Sequence, residues 1–436
     1  MMTTTTTTSR PPPLRTALIG LSSSPTGYGW LNHFHLRALQ ARPDTFEIVA
    51  VLGSSPDSAQ RAIATHGLSV STVRAYGSPH DLAQDEAVEF AVVGVKVPLH
   101  RAVLVPSLLS DRSSVKGVFV EWPIGVSLAE SEDIVRRTRD RGVPLHRTAV
   151  GLQGRFSAVT QRIAQLVRAG RVGRVLSTTV VGTVPTGGGT VEKRGVQYAL
   201  DPANGATMVD IHLAHFVECL TFALGAEVAT VSAQVRTMHP TTDIVDDLTG
   251  EVVEKDAPKR SPDQVLVQGL LRRTRRSNLD SRLRSDQHDE GEGGGAGAGG
   301  GGKGEEDDSV YSIHMRGGTS IAGGMTWLIY GTAGEMAITS PVHMIPHINV
   351  PAPWKIRTKT TRENDSKEEE VEEEEVSEQG PQGQQPAVAR LWDAFVGAQE
   401  EEQQGSWPDF EHGLKIHRVV DAVWTSSRDG RVVEVS

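Results

Sequence analysis

Titratable side chains crowd three short stretches of this sequence. Residues 205–218 hold Asp210, His212, His215 and Glu218 in a run with helical apolar spacing. Residues 93–100, Val-Gly-Val-Lys-Val-Pro-Leu-His, place Lys96 and His100 just after an apolar run. Arg155 stands in Leu152-Gln153-Gly154-Arg155-Phe156. Imidazole, ammonium and carboxylate groups together suit proton transfer at a hydroxyl or carbonyl. A guanidinium suits bidentate capture of a substrate or phosphate oxygen, or a structural ion pair. His212 and His215, at i and i+3, share a helix face, but no third ligand has metal-site spacing, so no metal is expected. Set against these groups is Trp122 in Glu121-Trp122-Pro123, which ends the apolar run 117–120 and cannot exchange a proton near neutral pH. Its indole suits packing, either in the core or against a flat ligand.

The elements that must carry these residues follow from periodicity. Apolar, β-rich runs at 16–21, 46–52, 89–97, 117–120 and 143–150 alternate with helical stretches such as 101–110. Such alternation predicts an α/β fold, an N-terminal Rossmann doubly wound parallel sheet spanning residues 14–150. From residue 151 strands dominate, at 175–183, 228–235, 264–270 and 310–316, with helices at 158–169 and 209–224. This predicts an α+β domain with a mostly antiparallel open sheet over 151–436. Ligands of open α/β sheets sit at the strand C-termini. The first such turn, residues 20–29, is Gly-Leu-Ser-Ser-Ser-Pro-Thr-Gly-Tyr-Gly, where Gly20, Ser22 and Ser23 are small enough to admit a pyrophosphate. It departs from G-x-G-x-x-G, because serine replaces the second glycine. The second strand ends in Gly53-Ser54-Ser55 rather than in the Asp or Glu that binds ribose hydroxyls. Ser54 and Ser55 would tolerate a 2′-phosphate, which favours NADP slightly within an NAD(P) site, though the same residues also suit a helix cap.

Of the 436 residues 38% are hydrophobic and 45 are glycine, a dilution that points to polar inserts in a normal core. Residues 363–378 carry ten carboxylates against Lys367, and residues 286–308 carry eight against Lys303. Residues 272–284 carry six arginines against Asp280, and outside these runs the chain is close to neutral. Segments 272–308 and 358–386 are therefore expected to be disordered inserts, and residues 1–13 a disordered tail. Cys219 is the only cysteine, which excludes an intrachain disulfide and favours a reducing compartment, cytoplasm or nucleus. No apolar run approaches ~18 residues, so no membrane span is expected. The Arg272–276 cluster runs straight into acidic sequence, which argues against direct nucleic-acid binding.

Taken in order, these motifs resemble the Gfo/Idh/MocA family, the glucose–fructose oxidoreductase and inositol dehydrogenase group. Within it they look like the fungal branch that contains the galactose-regulon repressor. The resemblance covers residues 14–271, 309–345 and 387–436, the last including Trp407-Pro408-Asp409-Phe410-Glu411-His412 and His417-Arg418. It implies a nicotinamide dinucleotide across the strand ends, near Val95, Lys96, His100, Glu121 and Trp122, and a homodimer formed through the open sheet. Catalytic members carry Glu-Lys-Pro, whose lysine position is Trp122 here. His215 fits the family's downstream histidine, with Arg155 and His212 beside the substrate. Asp210 lies five residues before His215 rather than four, a rotation of about 100° on a helix. A desolvated Lys96 would be the nearby replacement for the lysine. Two functions follow. One is a cofactor-binding, weakly catalytic regulator with a protein partner. The other is an NAD(P)-dependent oxidoreductase acting on CH–OH groups of a sugar, polyol or related alcohol.

Overall fold

A computed structural model describes residues 12–24, 29–184, 189–274, 308–342, 344, 346, 354–360, 371–377, 386–401 and 406–436. The six leading strands are β1 (Leu14–Ile19), β2 (Phe46–Leu52), β3 (Arg74–Tyr76), β4 (Phe90–Val93), β5 (Gly117–Val120) and β6 (Thr148–Val150). They form one sheet in the order β3-β2-β1-β4-β5-β6, parallel throughout. β4 and β5 are buried at every residue, as strands covered on both faces must be. The order reverses between β1 and β4, which opens a crevice above their C-terminal ends. The helices are α1 (Leu36–Gln40), α2 (Pro56–Thr65), α3 (Pro79–Ala83), α4 (His100–Val103) and α5 (Leu128–Asp140). Ser55 and Ser127 cap α2 and α5 by accepting from the N–H groups of Ser58 and Glu130.

The second sheet contains β7 (Val175–Val184), β9 (Ala226–Val228), β10 (Thr230–Arg236), β13 (Gln264–Arg273), β14 (Ser309–Gly317) and β15 (Met325–Gly331). It is completed by β16 (Gly334–Ser340), β17 (Trp354–Thr360), β18 (Val371–Val376) and β19 (Val433–Glu434). Its path is β18-β17-β16-β15-β7-β14-β13-β10-β19, with β9 beside β13, and only β7 and β14 run parallel. Three further strands, β8 (Val191–Lys193), β11 (Thr241–Val245) and β12 (Val252–Pro258), make a small separate sheet. Four more helices complete the chain: α6 (Ala158–Arg168), α7 (Ala214–Leu224), α8 (Pro386–Glu401) and α9 (Phe410–Asp429). The fold is the expected one, a parallel sheet followed by a mostly antiparallel one.

Three details differ from the sequence reading. The insert expected over 358–386 contains structure at both ends and in its middle. Thr358–Thr360 finish β17, Val371–Val376 form the edge strand β18, and α8 starts at Pro386. Four consecutive glutamates are held there by cations. Lys355 lies 3.4 Å from both Glu373 and Glu375, Arg162 lies 2.9 Å from Glu374, and Arg171 pairs with Glu372. Arg272 and Arg273 likewise belong to β13 rather than to an insert. Residues 1–11, 275–307, 361–370 and 378–385 of the expected tail and inserts lie outside the described residues. The third difference is that the chain returns to its first sheet. Trp392 of α8 packs against Phe46, Phe90 and Phe119, and α9 lies against β6 and α5. Residues Pro202–Leu224 are apolar and long enough by composition to cross a membrane, yet 78% of that window is buried inside the protein as a core helix.

Candidate functional site

The crevice at the switch between β1 and β4 gathers the predicted cofactor residues. Gly20, directly after β1, has φ +96°, and a Cβ there would lie 2.6 Å from Val95 Cγ1. A Cβ on Gly94 would lie 2.7 Å from Leu31 Cγ. The two turns thus touch, and only glycine allows it. The loop is pinned by a residue the sequence reading missed. Asn32 accepts from Ser22 N–H at 2.9 Å and donates through Nδ2 to Ser22 O at 2.8 Å. His66 donates to the same carbonyl at 2.8 Å. Ser23 is half-buried beside them, and residues 25–28 of the loop lie outside the described residues. Ser54 is exposed at the end of β2, while Ser55 is engaged as the cap of α2. A glycine-walled turn with a serine-ended neighbour has the small residues and polarity that suit a dinucleotide's phosphates.

Other expected cofactor contacts are used by the protein itself. His100 is fully buried, with Nδ1 2.9 Å from Pro123 O and Nε2 3.0 Å from Val95 O, and burial lowers its pKa. His100 thereby joins the β4 and β5 turns. Glu121 turns to His35, whose Nδ1 accepts from Trp392 Nε1 at 3.0 Å, so His35 presents Nε2–H to Glu121. Gly151 makes room for this carboxylate, since a Cβ would lie 2.3 Å from Glu121 Oε2. No motif marked His35 or Trp392, which are brought together by packing between α8 and the first sheet.

Trp122 is 4% exposed and belongs to the core. Its Nε1 donates to Asp210 O at 2.7 Å, and its ring centroid lies 5.5 Å from that of His417 on α9. Lys96 does not take the place of the missing lysine by desolvation. It is exposed, with Nζ 5.0 Å from the Tyr198 ring centroid, a cation–π contact. Arg155, expected as a substrate clamp, is nine-tenths buried in an ion pair with Glu218 at 2.6 Å. It also donates to Ser406 O at 2.9 Å and to His412 Nε2 at 2.7 Å. Burial pushes Glu218 up, but Arg155 and His412 outweigh it and hold the carboxyl below its usual range.

His215, on the first turn of α7, is fully enclosed. Burial carries its pKa down to about 3, with Glu218 opposing and His212 assisting. His212 lies half-buried in the π-helical turn Val209–Leu213 that precedes α7. Asp210 in the same turn accepts from Trp424 Nε1 at 2.9 Å and from Thr207 N and Oγ1 at 2.9 and 2.7 Å. Burial raises its pKa against these donors. Trp122 thus stands just past the end of β5, and a neutral imidazole, His215, on α7. Among the described residues, no three His, Cys, Asp or Glu side chains are placed to hold a metal ion.

Residues 26–148 match the oxidoreductase family with an NAD-binding Rossmann fold, and residues 159–287 match the Gal80p C-terminal domain. The chain is 34% identical over 230 residues to the dehydrogenase aclE of Aspergillus oryzae, covering 52% of this chain and 59% of that protein. It is 26% identical over 261 residues to the galactose/lactose metabolism regulatory protein GAL80 of Saccharomyces cerevisiae, covering 59% of this chain and 58% of that protein. Both alignments span less than two thirds of the relatives' own length. A crystal structure of a super-repressor mutant of Gal80p from Saccharomyces cerevisiae superposes with a TM-score of 0.77 at 21% identity. It covers 97% of this chain and 98% of that one, a likeness of fold.

Proposed function

Because the chain belongs to the Gfo/Idh/MocA family and carries a Gal80p-like C-terminal domain, we propose that it is a nicotinamide dinucleotide-binding regulator with little or no catalytic turnover. One observation carries this reading: the position of the family's lysine is a buried tryptophan hydrogen-bonded to Asp210 O. Hydride transfer to a carbonyl, or from the carbinol carbon of an alcohol, needs a group that exchanges the hydroxyl proton. Gly20, Ser22 and Ser23 would lie along the pyrophosphate, and Ser54 and Ser55 at the adenosine ribose, where a 2′-phosphate is admitted. Val95, Lys96 and the strand end at Trp122 would flank the nicotinamide, which when bound supplies hydride chemistry. The open sheet would form a homodimer, and cofactor occupancy would bias the surface seen by a regulatory protein partner. The absence of any cysteine besides buried Cys219 suits the cytoplasm or nucleus.

An oxidoreductase acting on a sugar, polyol or related alcohol is the second reading. It is favoured by the likeness to a dehydrogenase and by His215, which fits the family's downstream histidine. Titration of the purified protein with NAD and NADP, followed by reduced-nicotinamide absorbance across a sugar and polyol panel, separates the two. The first reading expects binding, NADP at least as tight as NAD, and no turnover. Turnover that disappears in His215→Ala would establish the second instead.

A further inference from the structure

Behind Trp122 lies a cavity of about 400 Å³ between the N-terminus of α5, the turn at Pro202 and α9. We propose that it is a second ligand site, built for a small neutral hydroxylated molecule such as a monosaccharide or cyclic polyol. Two polar side chains in its wall are more than nine-tenths buried, Asp210 and His417. Asp210 is engaged within the wall, its Oδ2 accepting two hydrogen bonds from Thr207, its Oδ1 that of Trp424, and its own backbone N–H adding a further one. His417 Nδ1 lies 2.9 Å from Ser131 Oγ, which leaves Nε2 for an occupant.

The chemistry of the walls selects the ligand. Burial holds the pKa of His417 at about 4, so its ring is neutral and can donate or accept according to tautomer. A hydroxyl, both donor and acceptor, exchanges a hydrogen bond with neutral imidazole in either sense. The half-buried indole of Trp424, with Val126 and Val420, offers an apolar wall for the C–H face of a ring. At the rim Asp421 and Arg428 oppose each other in sign, and an anion would have to sit near both Asp210 and Asp421. The volume lies within the usual range for small-molecule sites, about 300–1,000 Å³.

The cavity stands apart from the strand-end crevice, because Gly20, Ser54, Lys96 and His215 are not in its walls. It is nonetheless connected to Trp122, whose ring meets His417 and whose Nε1 donates to Asp210 O. An occupant would touch both supports of the residue at the cofactor end of β5. The proposal does not depend on the cofactor reading.

The test is calorimetric titration of the full chain with glucose, galactose, myo-inositol and sorbitol, beside glucosamine and gluconate. At least one neutral compound should bind at millimolar concentration or below. Ala203→Trp, at an exposed position of the wall, should fill the mouth and weaken binding by roughly tenfold or more, the size of one lost hydrogen-bonded contact. NAD titration of that variant should be unchanged. His417→Gln gives an independent arm with the same expected loss. The proposal is overturned if no neutral compound binds, if only glucosamine or gluconate binds, or if binding survives both substitutions.

Discussion

Trp122 shows how much a single residue type reveals. That it cannot shuttle a proton is legible from its identity; that it is a buried donor to Asp210 O is not. Trp122→Phe keeps a ring but leaves Asp210 O without its donor, and should destabilise the fold by about 1–2 kcal/mol in urea titration. Trp122→Lys would bury an ammonium against His417, and is expected to cost about 3 kcal/mol or more without creating turnover. Appearance of sugar-dependent cofactor reduction in that variant would instead show that only the proton shuttle is missing from an otherwise competent site. Buried histidines set a pH response, His417 and His215 together with His100 and His412, all lowered by burial. Burial keeps His417 at about 4 and His215 at about 3, whereas the unfolded chain titrates near pH ~6.5. Their contribution to stability is complete above that value and is lost as pH falls toward the folded pKa values, because the unfolded state then binds more protons. Asp210, raised by burial, acts in the opposite sense and offsets part of the loss. The urea midpoint should drop between pH 7 and pH 5, with a slope approaching ~1.4 kcal/mol per pH unit for each histidine. His417→Asn should flatten that dependence, and an unchanged slope would remove His417 from the account.

Among the elements, the β1 turn was legible because a glycine with small neighbours after an apolar strand has few other uses. The structure adds why Gly20 itself is required. Gly20→Ala meets both a positive φ and a contact of 2.6 Å with Val95. It should cost about 1–3 kcal/mol and abolish most of the thermal stabilisation given by NAD, while leaving the second sheet's spectroscopic signature intact. Strand β18 was illegible for the converse reason. Four glutamates in sequence have no two-residue apolar alternation, and their strand exists because Lys355, Arg162 and Arg171 stand opposite them. The turn before α7 was read as plain helix, since a π turn at Val209–Leu213 keeps the apolar spacing of its neighbours.

At the scale of the whole molecule, the large sheet buries one face and, among the described residues, leaves apolar side chains exposed on the other. Val181, Leu266, Leu270, Val310 and Tyr330 are exposed on it, and Leu270, Val310 and Tyr330 fall in one cross-strand row through Ser177. A row of this kind, apolar except at Ser177, is a surface a homodimer would cover. Tyr330→Glu with Leu270→Glu should shift sedimentation from dimer to monomer and leave the circular dichroism unchanged; a monomeric wild type would end the dimer reading. By itself the sequence determined the two-sheet fold, parallel then mostly antiparallel, and the glycine-lined turn after β1, because periodicity and backbone freedom are local properties. Only the tertiary structure decided what each polar side chain does. His35 with Glu121 and Trp392, Arg155 with Glu218 and His412, and Trp122 with Asp210 and His417 all join residues far apart in the chain. A side chain's hydrogen bonds and charge state depend on what packing places beside it and how much water packing removes, and neither is written in its neighbours along the sequence.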